Sequence, residues 1–227
     1  HQFTTEERQR AERLVHRLVH AKVSKYNVGR ATWRRPNRQQ TVILIPGQVE
    51  SDASIELGSP VIKSNLELIE NVRKSNPDAY LVYKPHPDVQ AGLRIAGSAE
   101  QSANAYVDEV VLDEDMAHLL EHVDEVHTMT SLTGFEALLR GVDVHCYGQP
   151  FYAGWGLTSD RIPPTRRQRQ LTLSELVAGA LILYPTYVSR TTQRFTTVER
   201  VLTELVEYRE SAQKRTSVQR IFRYACQ

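Results

Sequence analysis

Thr41-Val42-Ile43-Leu44-Ile45-Pro46-Gly47-Gln48-Val49-Glu50-Ser51-Asp52 runs from an unbroken, largely β-branched apolar stretch directly into a polar turn. A strand with one solvated face would alternate, so an apolar residue at every position points to a strand covered on both faces, as in a parallel sheet with crossover helices. Downstream the expected companions appear. Ile62 to Ser75 reads as a helix, Ala79 to Tyr83 as a strand, Glu109 to Leu112 as a weaker strand and Met116 to His122 as a helix. Glu125 to Met129 is then a strand, Thr133 to Arg140 a helix and Val142 to Tyr147 a strand. This alternation predicts an α/β fold with a Rossmann-like parallel sheet flanked by helices. Upstream, Ala11, Leu14, Val15, Leu18 and Val19 recur at helical spacing between Thr4 and about Lys25, with Thr4 or Thr5 before Glu6 and Glu7 as N-cap. Tyr26 to Gln40 loses that period and carries Pro36 and the arginines 30, 34, 35 and 38, which reads as a linker. The expected domains are therefore 1–40, a helix and linker, and 41–227, the Rossmann-like domain with C-terminal helices at Ser174 to about Leu183 and Thr197 to about Lys214. Prolines 163, 164 and 185 should mark breaks.

The chain has 227 residues, 28 Lys and Arg against 27 Asp and Glu, and 41% hydrophobic positions, which fits one large or two small globular domains. A formal net charge of +1 argues against nucleic-acid binding by bulk phosphate neutralisation, the arginine cluster near residue 34 notwithstanding. No apolar run approaches the roughly 20 residues that span a bilayer. Cys146 and Cys226 make neither a disulfide framework nor a zinc cluster, and a reducing compartment is the simplest expectation. The sequence thus reads as cytoplasmic, with room for peripheral membrane association. It opens on His1 rather than Met, which suits a piece of a longer protein.

In open parallel sheets, ligands bind at the carboxyl ends of the strands, so the segments just after each strand carry the chemistry. After the first comes Gln48-Val49-Glu50-Ser51-Asp52, two acids in a polar loop that a solvated turn would also explain. After the second comes Lys84-Pro85-His86-Pro87-Asp88, where two prolines hold His86 extended, either for a ligand or as a turn histidine. Thr130-Ser131-Leu132-Thr133-Gly134-Phe135-Glu136 joins a strand to a helix. Hydroxyls and free N–H groups there suit an anion, Gly134 would allow close approach, and Glu136 could accept ribose hydroxyls. Ser131 as a plain N-cap and Glu136 as a dipole partner explain the same residues. The aromatic, glycine-rich Phe151-Tyr152-Ala153-Gly154-Trp155-Gly156-Leu157 could stack a base or sugar, or simply pack. His118-Leu119-Leu120-Glu121-His122 matches the H-x-x-E-H pattern of zinc peptidases, but its helix is short and no third ligand follows, so a solvated helix face is expected.

Taken together and in order, Ile45-Pro46-Gly47-Gln48-Val49-Glu50-Ser51-Asp52-Ala53-Ser54-Ile55, Tyr83-Lys84-Pro85-His86-Pro87-Asp88, the 130–138 segment and the 151–157 segment resemble the capsule polysaccharide biosynthesis proteins of Gram-negative bacteria. Those are retaining β-Kdo glycosyltransferases. The resemblance spans about residues 41 to 160. It implies one lobe of a glycosyltransferase-B architecture, the nucleotide-sugar-binding half, using CMP-Kdo as donor and a glycan or lipid-linked acceptor at the inner face of the cytoplasmic membrane. The acceptor-binding lobe would lie elsewhere in the parent protein, leaving the isolated fragment inactive in transfer.

The resemblance also implies residue roles. His86 and Pro87 match the family's His-Pro motif, so His86 would touch the leaving phosphate. Ser131 and Thr133 would complete the phosphate site, with Gly134 beside them, and Glu136 would contact the ribose or cytidine side. Asp52 matches the acidic position that would serve as nucleophile, where the family pattern has two successive acids and this chain has Ser51-Asp52. Gln48, Glu50 and Lys84 are the remaining expected substrate contacts. No cofactor and no metal are expected, since Asp113-Glu114-Asp115 precedes a helix and suits an N-cap rather than a metal dyad. The alternatives are a UDP- or GDP-dependent glycosyltransferase or epimerase on the same architecture, and a CMP-binding module without chemistry.

Overall fold

The computed structural model describes residues 1–25, 29–36, 39–90 and 102–225; Arg38 and Cys226 lie outside that set. The chain divides into two compact units, Lys22–Leu173 on one side and His1–Ala21 with Ser174–Gln227 on the other.

The larger unit is built on a six-stranded sheet. Its strands are β1 Val42–Pro46, β2 Tyr80–Lys84, β3 Glu109–Val110, β4 Glu125–Thr128, β5 Asp143–Cys146 and β6 Ser159–Asp160, and every ladder is parallel in the order β3-β2-β1-β4-β5-β6. All five residues of β1 are buried, as its unbroken apolar sequence requires of a central strand. Ile43 pairs with Leu81 on one side and Glu125 on the other, and Leu44 with Val82 and Val126. The chain works outward from β1 to β3, then returns to the far side of β1 for β4. The order therefore reverses between β1 and β4, and a crevice opens beyond the carboxyl ends of those two strands.

Helices supply the covering. Helix α2 is Ala53–Gly58, α3 Asn65–Ser75, α4 Pro87–Gln90, α5 Met116–Leu120 and α6 Leu132–Leu138, after α1 at Thr5–His20. Leu68, Ile69 and Val72 of α3 form one core with Ile43, Ile45, Leu81 and Tyr83. Ser64 and Glu67 close a capping box at the start of α3, and Asp115 caps α5 by accepting from His118 N, so the acidic run before α5 does act as a cap.

The segment read as a linker is instead part of the sheet unit. Trp33 is buried and donates through Nε1 to Glu109, Thr32 bonds Glu114 through both its N–H and its hydroxyl, and Arg35 forms a two-pronged pair with Asp124 at 2.8 and 2.6 Å. The units divide at residues 21/22 and 173/174 rather than near 40, because side chains, not periodicity, anchor this stretch. Strand β6 follows shortly after the aromatic, glycine-rich segment, and at two residues it is too short to leave a sequence pattern.

In the smaller unit, α1 begins at the capping box Thr4/Glu7 and buries Ala11 and Leu14. Helix α7, Leu173–Val177, continues as a π-helical stretch to Leu183 and stops before Pro185, where a break was expected. The hairpin β7 Tyr187–Val188 with β8 Phe195–Thr196 follows, then α8 Val198–Ala225. Arg8 pairs with Glu175 at 3.1 Å and Arg10 with Glu199 at 2.7 Å, tying α1 to α7 and α8.

The hydrogen-bonded Arg10 guanidinium holds the Glu199 carboxyl down from 4.5 to about 2. A carboxyl with a lower pKa when folded adds stability above its unfolded value, and that increment is lost as pH falls towards the folded value. With 38% of the Arg10 side chain exposed, solvent screens the pair, and its worth is about 1 kcal/mol. Glu199→Gln should lower the urea-unfolding free energy by about that amount at neutral pH, and the gap from the parent should close between roughly pH 5 and pH 2.

Candidate active site at the carboxyl ends of the strands

A cleft of about 670 Å³ opens at the switch point, lined by the loops that follow β1, β2, β3 and β4. Of the residues singled out in the sequence, Gln48, Asp52, Lys84, His86, Pro87, Ser131, Thr133 and Glu136 line it. Glu50 and Gly134 do not.

The loop after β1 is held by side chains as much as by backbone. Gln48 is 8% exposed and its carboxamide joins two threonines: Nε2 donates to Thr130 Oγ1 at 2.9 Å, and Oε1 accepts from Thr130 N at 2.9 Å and from Thr128 Oγ1 at 3.2 Å. Gln48 N donates to Asn65 Oδ1, and Asn65 Nδ2 returns a bond to Gln48 O. Gln48 is thus a positioning residue joining the loop after β1 to the loop after β4. Glu50 accepts from Asn65 N at 2.8 Å, so its carboxylate caps the start of α3 rather than entering the cleft. Asn65, 2% exposed, is a residue the sequence reading missed, because a polar side chain at a helix start gives no signal of burial.

Asp52 is exposed at the cleft wall and is the N-cap of α2, its Oδ1 accepting from Ser54 N at 2.8 Å. A hydrogen bond from Asp52 N to Val49 O makes the loop a turn rather than an extended strand, so Asp52 and Glu50 part ways by turning, not by strand alternation. Gly47 supports the close approach of the loops after β1 and β2. Its N–H donates to Lys84 O at 2.8 Å, and a Cβ there would sit 2.8 Å from Tyr83 Oη and 3.1 Å from His86 N.

His86 has 14% of its side chain exposed, and its Nδ1 accepts from Asp88 N at 3.2 Å. An imidazole whose Nδ1 takes a backbone proton carries its own proton on Nε2, leaving that nitrogen as a donor. Lys84 ends β2 with 8% exposure, and its Nζ donates to Leu112 O at 3.3 Å. Burial lowers the Lys84 pKa, opposed by the nearby charges of Glu114, Asp113 and Asp115.

Ser131 caps α6, its Oγ accepting from Thr133 N and donating to Thr133 Oγ1, both at 3.2 Å, so the two hydroxyls stand together at one helix end. Gly134 serves a different purpose from the phosphate approach expected of it: the space its side chain would fill is taken by the Tyr152 ring. Tyr152 is completely buried and its hydroxyl donates to Ser131 O, while Trp155 Nε1 donates to Phe151 O. The aromatic loop therefore packs behind the Ser131 turn instead of lining the cleft. Glu136 is 7% exposed and accepts from Lys25 N at 2.8 Å. Burial raises its pKa, against the backbone bond from Lys25 and the charge of Arg140.

The H-x-x-E-H residues lie outside the cleft. His118 Nε2 is 2.9 Å from Trp33 O, His122 Nδ1 is 2.8 Å from His118 O, and Glu121 pairs with Lys22 at 2.9 Å, so each has a structural engagement on its helix face.

Residues 1–193 match the family described as capsule polysaccharide biosynthesis protein. The chain belongs to that family. It is 53% identical over 186 residues to the capsule polysaccharide modification protein LipA of Neisseria meningitidis serogroup A, covering 82% of this chain and 26% of LipA. It is 43% identical over 181 residues to the lipopolysaccharide-processing protein LpsZ of Rhizobium meliloti, covering 79% and 41%. Among solved structures, the β-Kdo 2,7 transferase of Thermosulfurimonas dismutans KpsC superposes with a TM-score of 0.78 at 44% identity, over 92% of this chain and 64% of that one. The β-Kdo 2,4 transferase of the same KpsC superposes with a TM-score of 0.82 at 34% identity, over 90% and 64%. The α/β Rossmann-like fold is thus that of glycosyltransferase relatives, and the chain spans only about a quarter to two thirds of the proteins it matches.

Removing the Gln48 carboxamide would strand the partly buried Thr130 N–H and the buried Thr128 hydroxyl together. Leaving such groups unpaired costs about 1–3 kcal/mol each, with partial relief from water. Gln48→Ala should therefore lose about 2–3 kcal/mol in urea unfolding, whereas Glu50→Gln, which keeps an acceptor for Asn65 N, should lose under about 1 kcal/mol.

Proposed function

We propose that this chain is the donor-binding lobe of a retaining β-Kdo transferase of capsule synthesis, taking Kdo from CMP-Kdo to a glycan or lipid-linked acceptor held by a lobe elsewhere in the parent protein. The observation that carries the reading is the cleft at the β1/β4 switch, where His86, the Ser131/Thr133 hydroxyls and Asp52 converge from three separate strand ends. Relatives that are Kdo transferases by name supply the donor class, and the partial coverage of those relatives supports a separate acceptor lobe.

The chemistry fits these groups. Cleavage of the ketosidic bond puts negative charge on the departing phosphate and positive character on the anomeric carbon. His86, donating through Nε2, and the two hydroxyls stabilise the first; Asp52 captures the second. In the first displacement the Asp52 carboxylate oxygen bonds to the anomeric carbon as the bond to CMP breaks, and CMP leaves with the electron pair. In the second, an acceptor hydroxyl displaces Asp52 and releases its proton to solvent, so two inversions give net retention. In this reading Lys84 is the cation that meets the sugar carboxylate. CMP as a good leaving group asks for charge stabilisation, which these residues provide without a metal. In this reading the chain works on the cytoplasmic side, peripheral to the inner membrane.

Saturating CMP should raise the melting temperature with or without Mg²⁺, by a stability increment near 2.7 kcal/mol at about 100-fold over Kd, while UMP and GMP do so weakly. His86→Ala should weaken CMP binding by the roughly 1.5–3 kcal/mol of a charge-assisted hydrogen bond; unchanged affinity would remove His86 from the phosphate site. A UDP- or GDP-dependent enzyme of the same architecture would invert the nucleotide preference.

Asp52 offers a clean separation of structure from chemistry, because Asn is as good an N-cap as Asp. Asp52→Asn should leave stability within about 0.5 kcal/mol of the parent. Turnover of the complete enzyme should nevertheless fall by orders of magnitude, with CMP affinity little changed. Mass spectrometry of the enzyme incubated with CMP-Kdo alone should find a Kdo increment on the Asp52 peptide, absent in the variant. Full activity of Asp52→Asn would exclude this nucleophile.

A further inference from the structure

Away from the cleft, on the sheet face that carries α3, two imidazoles and a carboxylate meet across β4 and β5. His127 and His145 are direct partners in the parallel ladder, and their rings stack at 4.2 Å between centroids with 16° between planes. Both present Nε2 to the same oxygen: Glu125 Oε2 lies 2.8 Å from His127 Nε2 and 3.4 Å from His145 Nε2. Nothing in the proposed transfer reaction uses these residues.

We propose that Glu125, His127 and His145 form a site for a divalent first-row transition metal such as zinc. Two imidazole nitrogens and one carboxylate oxygen are the donor set such ions prefer, and three protein ligands leave a fourth position for water. Bonds of about 2.0–2.1 Å in a tetrahedron put ligand atoms about 3.3 Å apart. The Glu125–His145 separation already matches, and the Glu125–His127 pair needs to open by about half an ångström, which the Glu125 side chain can supply by rotation. The ladder fixes both backbones, and the stacked rings turn about their side-chain torsions to aim both Nε2 lone pairs at one ion.

The surroundings support the assignment. His127 is 1% exposed, and its Nδ1 is 3.2 Å from the Tyr147 hydroxyl, the kind of partner that fixes tautomer and ring orientation in metal-binding histidines. Glu125 and His145 each keep about a quarter of their side chains exposed, which gives an ion a way in. Proton bookkeeping closes without net release from the neutral imidazoles. Each Nε2 proton moves to Nδ1, the His127 Nδ1–H then donates to the Tyr147 oxygen, and the metal takes the freed Nε2 lone pairs. Arg161, over the Tyr147 ring at 5.6 Å, is the nearby cation working against the ion, and Asp124 the nearby acid working for it. Bound metal would clamp β4 to β5.

The test is titration of the metal-free protein with cobalt(II), read by the visible d–d absorption of tetrahedral cobalt, and with zinc by calorimetry. One equivalent should bind with the tetrahedral signature. His145→Ala and Glu125→Gln, each checked for a native circular-dichroism spectrum, should weaken binding by at least about tenfold, and Tyr147→Phe by roughly ten- to a hundredfold. The double variant His118→Ala with His122→Ala, which removes the other histidine pair, should bind as the parent does. Absence of cobalt uptake by the parent, uptake unchanged in both His145→Ala and Glu125→Gln, or uptake lost in the His118/His122 variant would overturn the proposal.

Discussion

The site rests on the Gln48 carboxamide. Strands β1 and β4 are neighbours in the sheet but far apart in sequence, and beyond their last ladder pair nothing in the backbone obliges the two following loops to meet. Gln48 meets Thr130 with both a donor and an acceptor, and it accepts from Thr128 as well. Buried hydrogen bonds of this kind contribute modestly when made and cost heavily when broken, so they act as a lock on geometry. Asn65 extends the lock to α3 by bonding both the N–H and the carbonyl of Gln48. Ser131, which caps α6 one residue beyond Thr130, and Asp52, which caps α2 four residues beyond Gln48, inherit their positions from it.

That dependence divides the polar residues near the cleft into two kinds. Gln48, Glu50 and Asn65 direct their side chains to one another's backbone and to Thr128 and Thr130. Gly134 and Tyr152 do the same job by packing, the glycine making room for the ring that supports Ser131 from behind. His86, Lys84, Asp52, Ser131 and Thr133 line the wall of the cleft. Glu136 belongs to both kinds, since it lines the cleft while accepting from Lys25 N. A ligand there would meet a carboxyl already committed to holding the segment before residue 26.

The sheet was legible because its central strands are buried on both faces and must therefore be apolar throughout. The same reasoning located the strand ends, and with them His86, Asp52 and Ser131. What escaped was fixed by tertiary contact. Trp33 and Arg35 sit in a stretch without periodicity, and only their partners Glu109 and Asp124, distant in sequence, make it part of the sheet unit. Gly134 was read for a ligand because sequence shows the absent side chain but not the aromatic ring that occupies its place. Glu50 and Asp52 look equivalent in a string of letters; a single turn hydrogen bond sends one to α3 and leaves the other at the cleft. The Glu125–His127–His145 cluster had no recognisable spacing, because its third member arrives only through the β4–β5 register.

Whether the nucleotide sits in the β1/β4 crevice is decided by a crystal structure of the protein grown with CMP. The phosphate is expected within hydrogen-bonding distance of His86 Nε2 and the Ser131 and Thr133 hydroxyls, with Asp52 facing the side from which the sugar departs. CMP bound elsewhere on the molecule, or bound in the crevice with its phosphate turned away from His86, would contradict it.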